Sequence, residues 1–253
     1  MCQAAAAKEV SAERNIVVLT GAGMSAESGV PTFRGVDGLW EGHRIEEVAS
    51  PEGFAHDPEL VHRFYNLRRA ALSSVEPNAG HLALARLEHE WRGSFLLVTQ
   101  NVDDLHERAG SEKLIHMHGE LRKARCECCG AVLSWTQELS SGTRCRVCGG
   151  MGGMRPHIVW FGEFPFQMEA IMNALKGADL FLCIGTSGVV YPAAGFAQMA
   201  AQNHACRLVE FNIENTEISR QFRERIVGPV SVELPKFVEQ LLSDSHRQAR
   251  SER

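Results

Sequence analysis

Apolar residues in this chain come in short unbroken runs and do not alternate with polar ones. "NIVVLTGAG" from Asn15, "SFLLVTQN" from Ser94, "LIHMHG" from Leu114, "DLFLCIGTS" from Asp179 and "CRLVEFN" from Cys206 share this form. A strand that is apolar on both sides belongs to a sheet covered on both faces, which is the habit of parallel sheets. The stretches between them read as helices. "PNAGHLALARLEHEW" opens on Pro77 and Asn78 and carries a stripe at Leu82, Ala85 and Leu87. "FQMEAIMNALKGA" and "AAGFAQMAAQN" behave likewise. Strand–helix alternation predicts an α/β fold, a doubly wound parallel-sheet (Rossmann-like) domain. Two stretches interrupt it, a helical one at about 40–72 and a cysteine-bearing one at about 120–155. They predict a smaller, discontinuous domain beside a large one made of about 12–39, 73–119 and 156–242. The polar end "SDSHRQARSER", residues 243–253, is expected to be a disordered tail.

Composition narrows the function classes. Of 253 residues, 44% are hydrophobic and 23% charged, as in an ordinary globule. A net charge of −5 supplies no basic field for nucleic acid. No apolar stretch approaches the roughly 20 residues of a membrane span. "MCQAAAAKEV" lacks the basic n-region and long apolar core of a secretory signal, so the cytoplasm is the expected location.

Four of the eight cysteines stand as Cys126-x2-Cys129 and Cys145-x2-Cys148, with fifteen residues between the pairs. Without a secretory signal this spacing reads as a zinc ribbon and not as disulfides. Cys128 leaves a second register open, but Cys129 repeats the x2 spacing of the other pair. Cys183, inside "LFLCIG", reads as a small buried hydrophobe, and Cys2 and Cys206 as structural or incidental.

The first strand runs into "GAGMSAESG", where Gly21-x-Gly23-x-x-Ala26 fits a dinucleotide-binding turn. The acidic residue expected about twenty positions on falls at Glu41, in "GLWEGHR", which does not read as a strand end. This is therefore not a plain dehydrogenase layout. "GTSGVVYPAAG" presents Gly185, Thr186 and Ser187, and "FNIEN" presents Asn212 and Glu214. Each could hold ribose or phosphate oxygens, or simply turn and cap. "TQNVDDLHERAG" places Asn101, Asp103 and Asp104 after a strand, as helix caps or as a polar lip of a site. His116 and His118, two apart, could each be a general base or a structural histidine. Neither has a His or Glu partner at metal-site spacing.

In order along the chain, "GAGMSAESGVPTFRG", "TQNVDDLHERAG", "HMHGEL", the two Cys-x2-Cys pairs, "RPHIVWFGE", "GTSGVVYPAAG" and "FNIE" resemble the sirtuins, NAD-dependent protein lysine deacylases. The resemblance covers about Asn15 to Leu241 and looks nearest to bacterial members that also remove succinyl groups. It implies His118 as general base, with Asn101 and Asp103 orienting the nicotinamide ribose and a water, and Gln100 lining that site. It implies NAD contacts from Gly21, Ala22, Gly23, Ala26, Glu27, Phe33 and Arg34. Gly185, Thr186, Ser187, Asn212, Glu214 and Val230 would hold the adenosine half. Cys126, Cys129, Cys145 and Cys148 would bind one structural zinc. The substrate peptide would lie as an added strand against Val159, Trp160, Phe161, Gly162 and Val189. The implied reaction expels nicotinamide, captures the ribose carbon with the acyl oxygen, uses His118 to deprotonate a ribose hydroxyl, and yields O-acyl-ADP-ribose.

For the acyl group, "HRFYNLRRA" puts Tyr65 and Arg68 on one helix face. By spacing alone, with Arg63 and Arg69 beside them, they also fit a solvated basic face. The resemblance implies that they read the distal carboxylate of succinyl- or malonyl-lysine, with Ala49 leaving room, and that acetyl-lysine is accepted too. Acyl-lysine proteins are the implied partners, bound by a monomer, with no nucleic acid and no membrane. ADP-ribosyl transfer to protein, a zinc-ribbon module sensing NAD, and a plain NAD oxidoreductase are the rival readings.

Overall fold

A computed structural model describes residues 15–32, 39–40 and 42–251. Glu41, Phe33 and Arg34 lie outside the described residues. Six strands make one parallel sheet, in the order Glu224–Val227, Arg207–Asn212, Leu180–Ile184, Ile16–Thr20, Phe95–Thr99, Leu114–His116. The chain fills the sheet outward from Ile16–Thr20 on one side. It then crosses back to Leu180–Ile184 and fills the other side. This is the order of a Rossmann sheet, and its switch point lies between Ile16–Thr20 and Leu180–Ile184.

Successive residues of these strands serve opposite cores, as a pleat requires. Val18, Leu97 and Leu182 pack with Leu84, Leu87, Leu234 and Val238 of the helices Ala79–Glu90 and Val230–Ser251. Val17, Val98 and Phe181 pack with Ile171, Leu175 and Phe196 of Met168–Lys176 and Phe196–Ala200. Both faces are covered, which is why the central strands read as continuous apolar runs. Cys183 lies among them, 1% exposed.

Three details depart from the sequence reading. Leu82 is 54% exposed, and the buried stripe of Ala79–Glu90 runs through Gly80, Ala83, Leu84 and Leu87. The helix is rotated by its cap: Asn78 accepts from Gly80 N at 2.9 Å and donates to Met24 O at 2.9 Å. The last helix continues to Ser251, through the stretch read as a tail. The edge strand Glu224–Val227 carries alternating side chains in place of an apolar run, so it gave no strand signal.

The two interrupting stretches meet over the carboxyl edge of the sheet. The first contains the helix Pro58–Ala71, started by Asp57 accepting from Leu60 N at 2.9 Å with Pro58 at the first position. The second forms an antiparallel sheet in the order Val132–Ser134, Gly119–Cys126, Met154–Ile158. They share a core of Val48, Val61, Phe64, Tyr65, Leu121, Ile158 and Trp160. Arg69 joins them, donating to Leu121 O at 2.7 Å and Gln137 O at 3.1 Å. Arg69 is buried and does not stand on a solvated basic face.

Candidate functional site

A cavity of about 820 Å³ opens between the sheet's carboxyl edge and the smaller layer. Its place, beside the switch point, is where ligands bind in open α/β sheets, and its size suits a large organic ligand. Its floor is the contact between two turns. Gly21 N donates to Ile184 O at 2.9 Å and Gly23 N to Gly185 O at 2.7 Å. A Cβ on Gly23 would come within 2.7 Å of Gly185 Cα, and Gly185 itself sits at φ +60°. The glycines thus serve first to let the two turns touch, and their N–H groups are already engaged. Asn212 holds the second turn by donating to Thr186 O at 2.9 Å, and Gln100 reaches Thr186 Oγ1 at 3.1 Å.

Asn101 and Asp103 have different tasks. Asn101 donates from Nδ2 to Gly21 O and to Ser25 Oγ, both at 3.0 Å, so it does not cap a helix. Asp103 does act at the start of Leu105–Ala109, accepting from Leu105 N at 3.2 Å. Burial pushes its carboxyl upward, while Leu105 N–H and the Ser25 hydroxyl favour the anion. Asp104 turns away to Arg122, at 2.9 Å. Ser25, 1% exposed, accepts from Asn101 Nδ2 at 3.0 Å. It was not among the residues singled out by sequence, since a serine in a glycine turn carries no distinctive pattern.

His81 lies behind Ser25, with Nε2 3.5 Å from its Oγ, while Nδ1 accepts from Asn78 N. Burial drives the His81 pKa down to about 4. An unfolded histidine titrates near 6.5, so the stability from holding His81 neutral is complete above that pH and is lost as the pH falls towards 4. Acidification from pH 7 to 4 is expected to cost roughly 3 kcal/mol at this residue. Urea midpoints measured across that range should fall less steeply for His81→Gln than for the parent chain.

The two candidate bases separate. His118 follows the strand Leu114–His116, and its Nδ1 is 3.2 Å from Gln100 O. A carbonyl only accepts, so Nδ1 bears the proton and Nε2 is left as a base at the cavity wall. Burial lowers its pKa, with the Gln100 carbonyl opposing, which keeps the ring neutral at pH 7. Gly119 must be glycine: at φ +87°, a Cβ would meet His157 O at 2.1 Å. His116 points elsewhere. Its Nδ1 is 3.1 Å from Asn101 O and its Nε2 2.7 Å from Glu107 Oε1. Burial opposes its charge, but Glu107 and the Asn101 carbonyl raise its pKa overall. The fold thus gives His116 the acidic neighbours its sequence spacing lacked, Glu107 and also Glu120. These line a separate hollow with Lys123 and His157, and Lys123 Nζ is 2.6 Å from Glu120.

Tyr65, Arg68 and Ala49 line the far end of the main cavity. Tyr65 and Ala49 are buried, and the Arg68 guanidinium lies 3.2 Å from the centre of the Phe64 ring while donating to Phe64 O at 2.9 Å. Val159, Trp160, Phe161 and Gly162 form the adjacent wall. Ala22, Ala26, Glu27, Ser187 and Val230 line the sheet side. Of the described residues that the resemblance gives to NAD or the substrate, Glu214 and Val189 stand outside the lining, and Val190 and Tyr191 line it in place of Val189.

In the ribbon, the sulfurs of Cys126, Cys129, Cys145 and Cys148 all lie within 4.8 Å of one another. Cys126–Cys148 and Cys129–Cys145 are each 3.8 Å apart. That is far beyond a disulfide bond of about 2.05 Å. A tetrahedral zinc with bonds of about 2.3 Å to sulfur has edges of about 3.8 Å, so this donor set fits zinc. Cys128 is exposed and is not one of the four.

The model of the Sir2 family matches residues 21–192. An NAD-dependent protein deacylase of Vibrio vulnificus (strain YJ016) is 56% identical over 232 residues, 91% of this chain and 94% of its own. A solved Sir2 homologue–NAD complex superposes with a TM-score of 0.82 at 38% identity, covering 92% of this chain and 91% of that one. A Sir2 protein solved with a deacetylated p53 peptide and 3'-O-acetyl ADP ribose gives 0.76 at 29% identity, covering 91% and 93%.

Proposed function

This chain belongs to the Sir2 family, and from that membership we propose that it removes acetyl and succinyl groups, and malonyl groups as the shorter dicarboxylic homologue, from protein lysine side chains. Its activity is NAD-dependent protein deacylation. NAD, when bound, supplies an activated ribose carbon that loses nicotinamide and a ribose hydroxyl that takes the acyl group. Gly21, Ala22, Gly23, Ala26, Glu27, Gln100, Gly185, Thr186, Ser187, Asn212 and Val230 would hold it. We assign Phe33, Arg34 and Glu214 to the same co-substrate on the resemblance of their motifs.

The chain's own groups divide the work. His118 accepts a proton at Nε2, the free ring nitrogen. Asn101, held by Gly21 O and Ser25, and Asp103 orient the ribose and a water beneath it. The substrate peptide lies along Val159–Gly162, with Val189 on the opposite side. The N–H groups of Val159, Trp160 and Phe161 already donate to His118 O, Glu163 and Ala49 O. With those N–H groups engaged, a peptide strand there would pair through its own N–H groups.

The observation that carries the acyl reading is the meeting of Tyr65 and Arg68 on one helix face, in the same cavity as His118. A guanidinium and a phenol together match a carboxylate. Nicotinamide release from NAD, followed with paired acetyl- and succinyl-lysine peptides, tests it. In Arg68→Met the succinyl-to-acetyl ratio of kcat/KM is expected to fall about 10- to 100-fold, the worth of one charge-assisted contact. An unchanged ratio would remove the carboxylate fork, and nicotinamide release independent of any acyl peptide would favour ADP-ribosyl transfer.

A further inference from the structure

Tyr65 is fully buried, and among the described residues its hydroxyl makes one hydrogen bond, accepting at 3.0 Å from Trp160 Nε1. An indole N–H only donates, so it cannot take the phenolic proton. No hydrogen bond donated by Tyr65 exists among the described residues. Burial also pushes the phenol's pKa far upward, so the proton stays on the oxygen. A buried O–H without an acceptor is a destabilised group. This one stands at the cavity wall, one helical turn from Arg68.

We propose that Trp160 is a positioning residue for acyl specificity. Its indole N–H occupies the accepting side of the Tyr65 hydroxyl, which commits the phenolic proton to an acceptor brought by the substrate, the distal carboxylate of a dicarboxylic acyl chain. The inference rests on the acyl reading above. An acetyl group, which ends in a methyl, brings no such acceptor.

Trp160 is held at its backbone and on its ring. Trp160 N donates to Glu163 Oε2 at 2.8 Å. Glu163 is gripped by Arg155 at 2.8 and 3.0 Å and by Arg125 at 2.9 Å. The Arg155 guanidinium, itself buried, stacks 3.3 Å over the Trp160 ring, and Phe54 flanks the ring at 5.2 Å. With its ring so fixed, the N–H cannot swing away from Tyr65. Phenylalanine at this position would keep most of the packing and lose the donor, and the Tyr65 hydroxyl would then be free to rotate.

Steady-state kinetics on paired succinyl- and acetyl-lysine peptides test the assignment in Trp160→Phe, Tyr65→Phe, the double variant and Arg68→Met. Trp160→Phe is expected to lower the succinyl-to-acetyl ratio of kcat/KM about tenfold, through a rise in the succinyl KM with little change in kcat. In the Tyr65→Phe background the same substitution should leave the ratio where Tyr65→Phe alone sets it. Benzothienylalanine at position 160 keeps the indole shape, replaces N–H by sulfur, and should reproduce the ratio of Trp160→Phe in a fully folded chain. Equal losses on both peptides, or losses that add in the double variant, would overturn the proposal. An Arg68→Met variant that keeps its succinyl preference would overturn the pocket reading itself. A preference lost in Arg68→Met but intact without the indole N–H would overturn the role of Trp160 alone.

Discussion

His118→Ala is expected to lower kcat for deacylation by about 10²- to 10⁴-fold, the span of a positioned general base. Gln100 O fixes the proton on Nδ1, and Nε2 has nothing to do but accept. Burial lowers the pKa from its ordinary value near 6.5, so the basic form prevails at pH 7. kcat/KM should therefore fall on acidification, with a midpoint below 6.5, and this limb should vanish in His118→Ala. His116 cannot substitute, because both its nitrogens already face acceptors, Asn101 O and Glu107. A variant that keeps more than a tenth of the parent kcat would move the base elsewhere.

The sheet was legible in the sequence because its central strands are buried on both faces, which leaves runs such as "IVVLT" and "LFLCI" with no polar interruption. Glu224–Val227 escaped notice because an edge strand needs apolar residues on only one face. The rotation of Ala79–Glu90 escaped because it is set by Asn78 gripping Met24 O, 54 residues away. The site divides the same way. Residues at strand ends and in glycine turns announce themselves locally, and the ordered set of motifs gave the family. Ser25 gave no signal of its own, because its role depends on Asn101, 76 positions away. The glycine turn reads locally as a dinucleotide-binding turn, but nothing local shows that the Gly21 and Gly23 N–H groups bind the neighbouring strand and turn. That pairing joins residues more than 160 positions apart, beyond the reach of any local pattern.

Loss of zinc should abolish deacylation although the ion has no part in the chemistry. Cys126, Cys129, Cys145 and Cys148 would fill its four positions, leaving none for a substrate or water. What the metal supplies is the fold of the ribbon. The core around it is only Ala124, Cys126, Trp135, Leu139, Cys145 and Met154, with Leu133 packed against it, too little apolar surface to stand alone. Zinc binding in such modules contributes about 10–16 kcal/mol of folding free energy. The consequence reaches the site along two strands. Gly119–Cys126 begins directly after His118, and its Gly119 pairs with Ile158 of Met154–Ile158. Arg125 and Arg155, one from each strand, hold the Glu163 that fixes Trp160. Cys145→Ser is therefore expected to bind less than one zinc per chain, to lose turnover on acetyl and succinyl peptides alike, and to keep the six-stranded sheet. Metal analysis, peptide assays and amide hydrogen exchange on one preparation check the three parts together. Exchange should rise across residues 119–158 and stay slow in Ile16–Thr20 and Leu180–Ile184. Full turnover in a chain shown to hold no zinc would separate the ribbon from the site and end the argument.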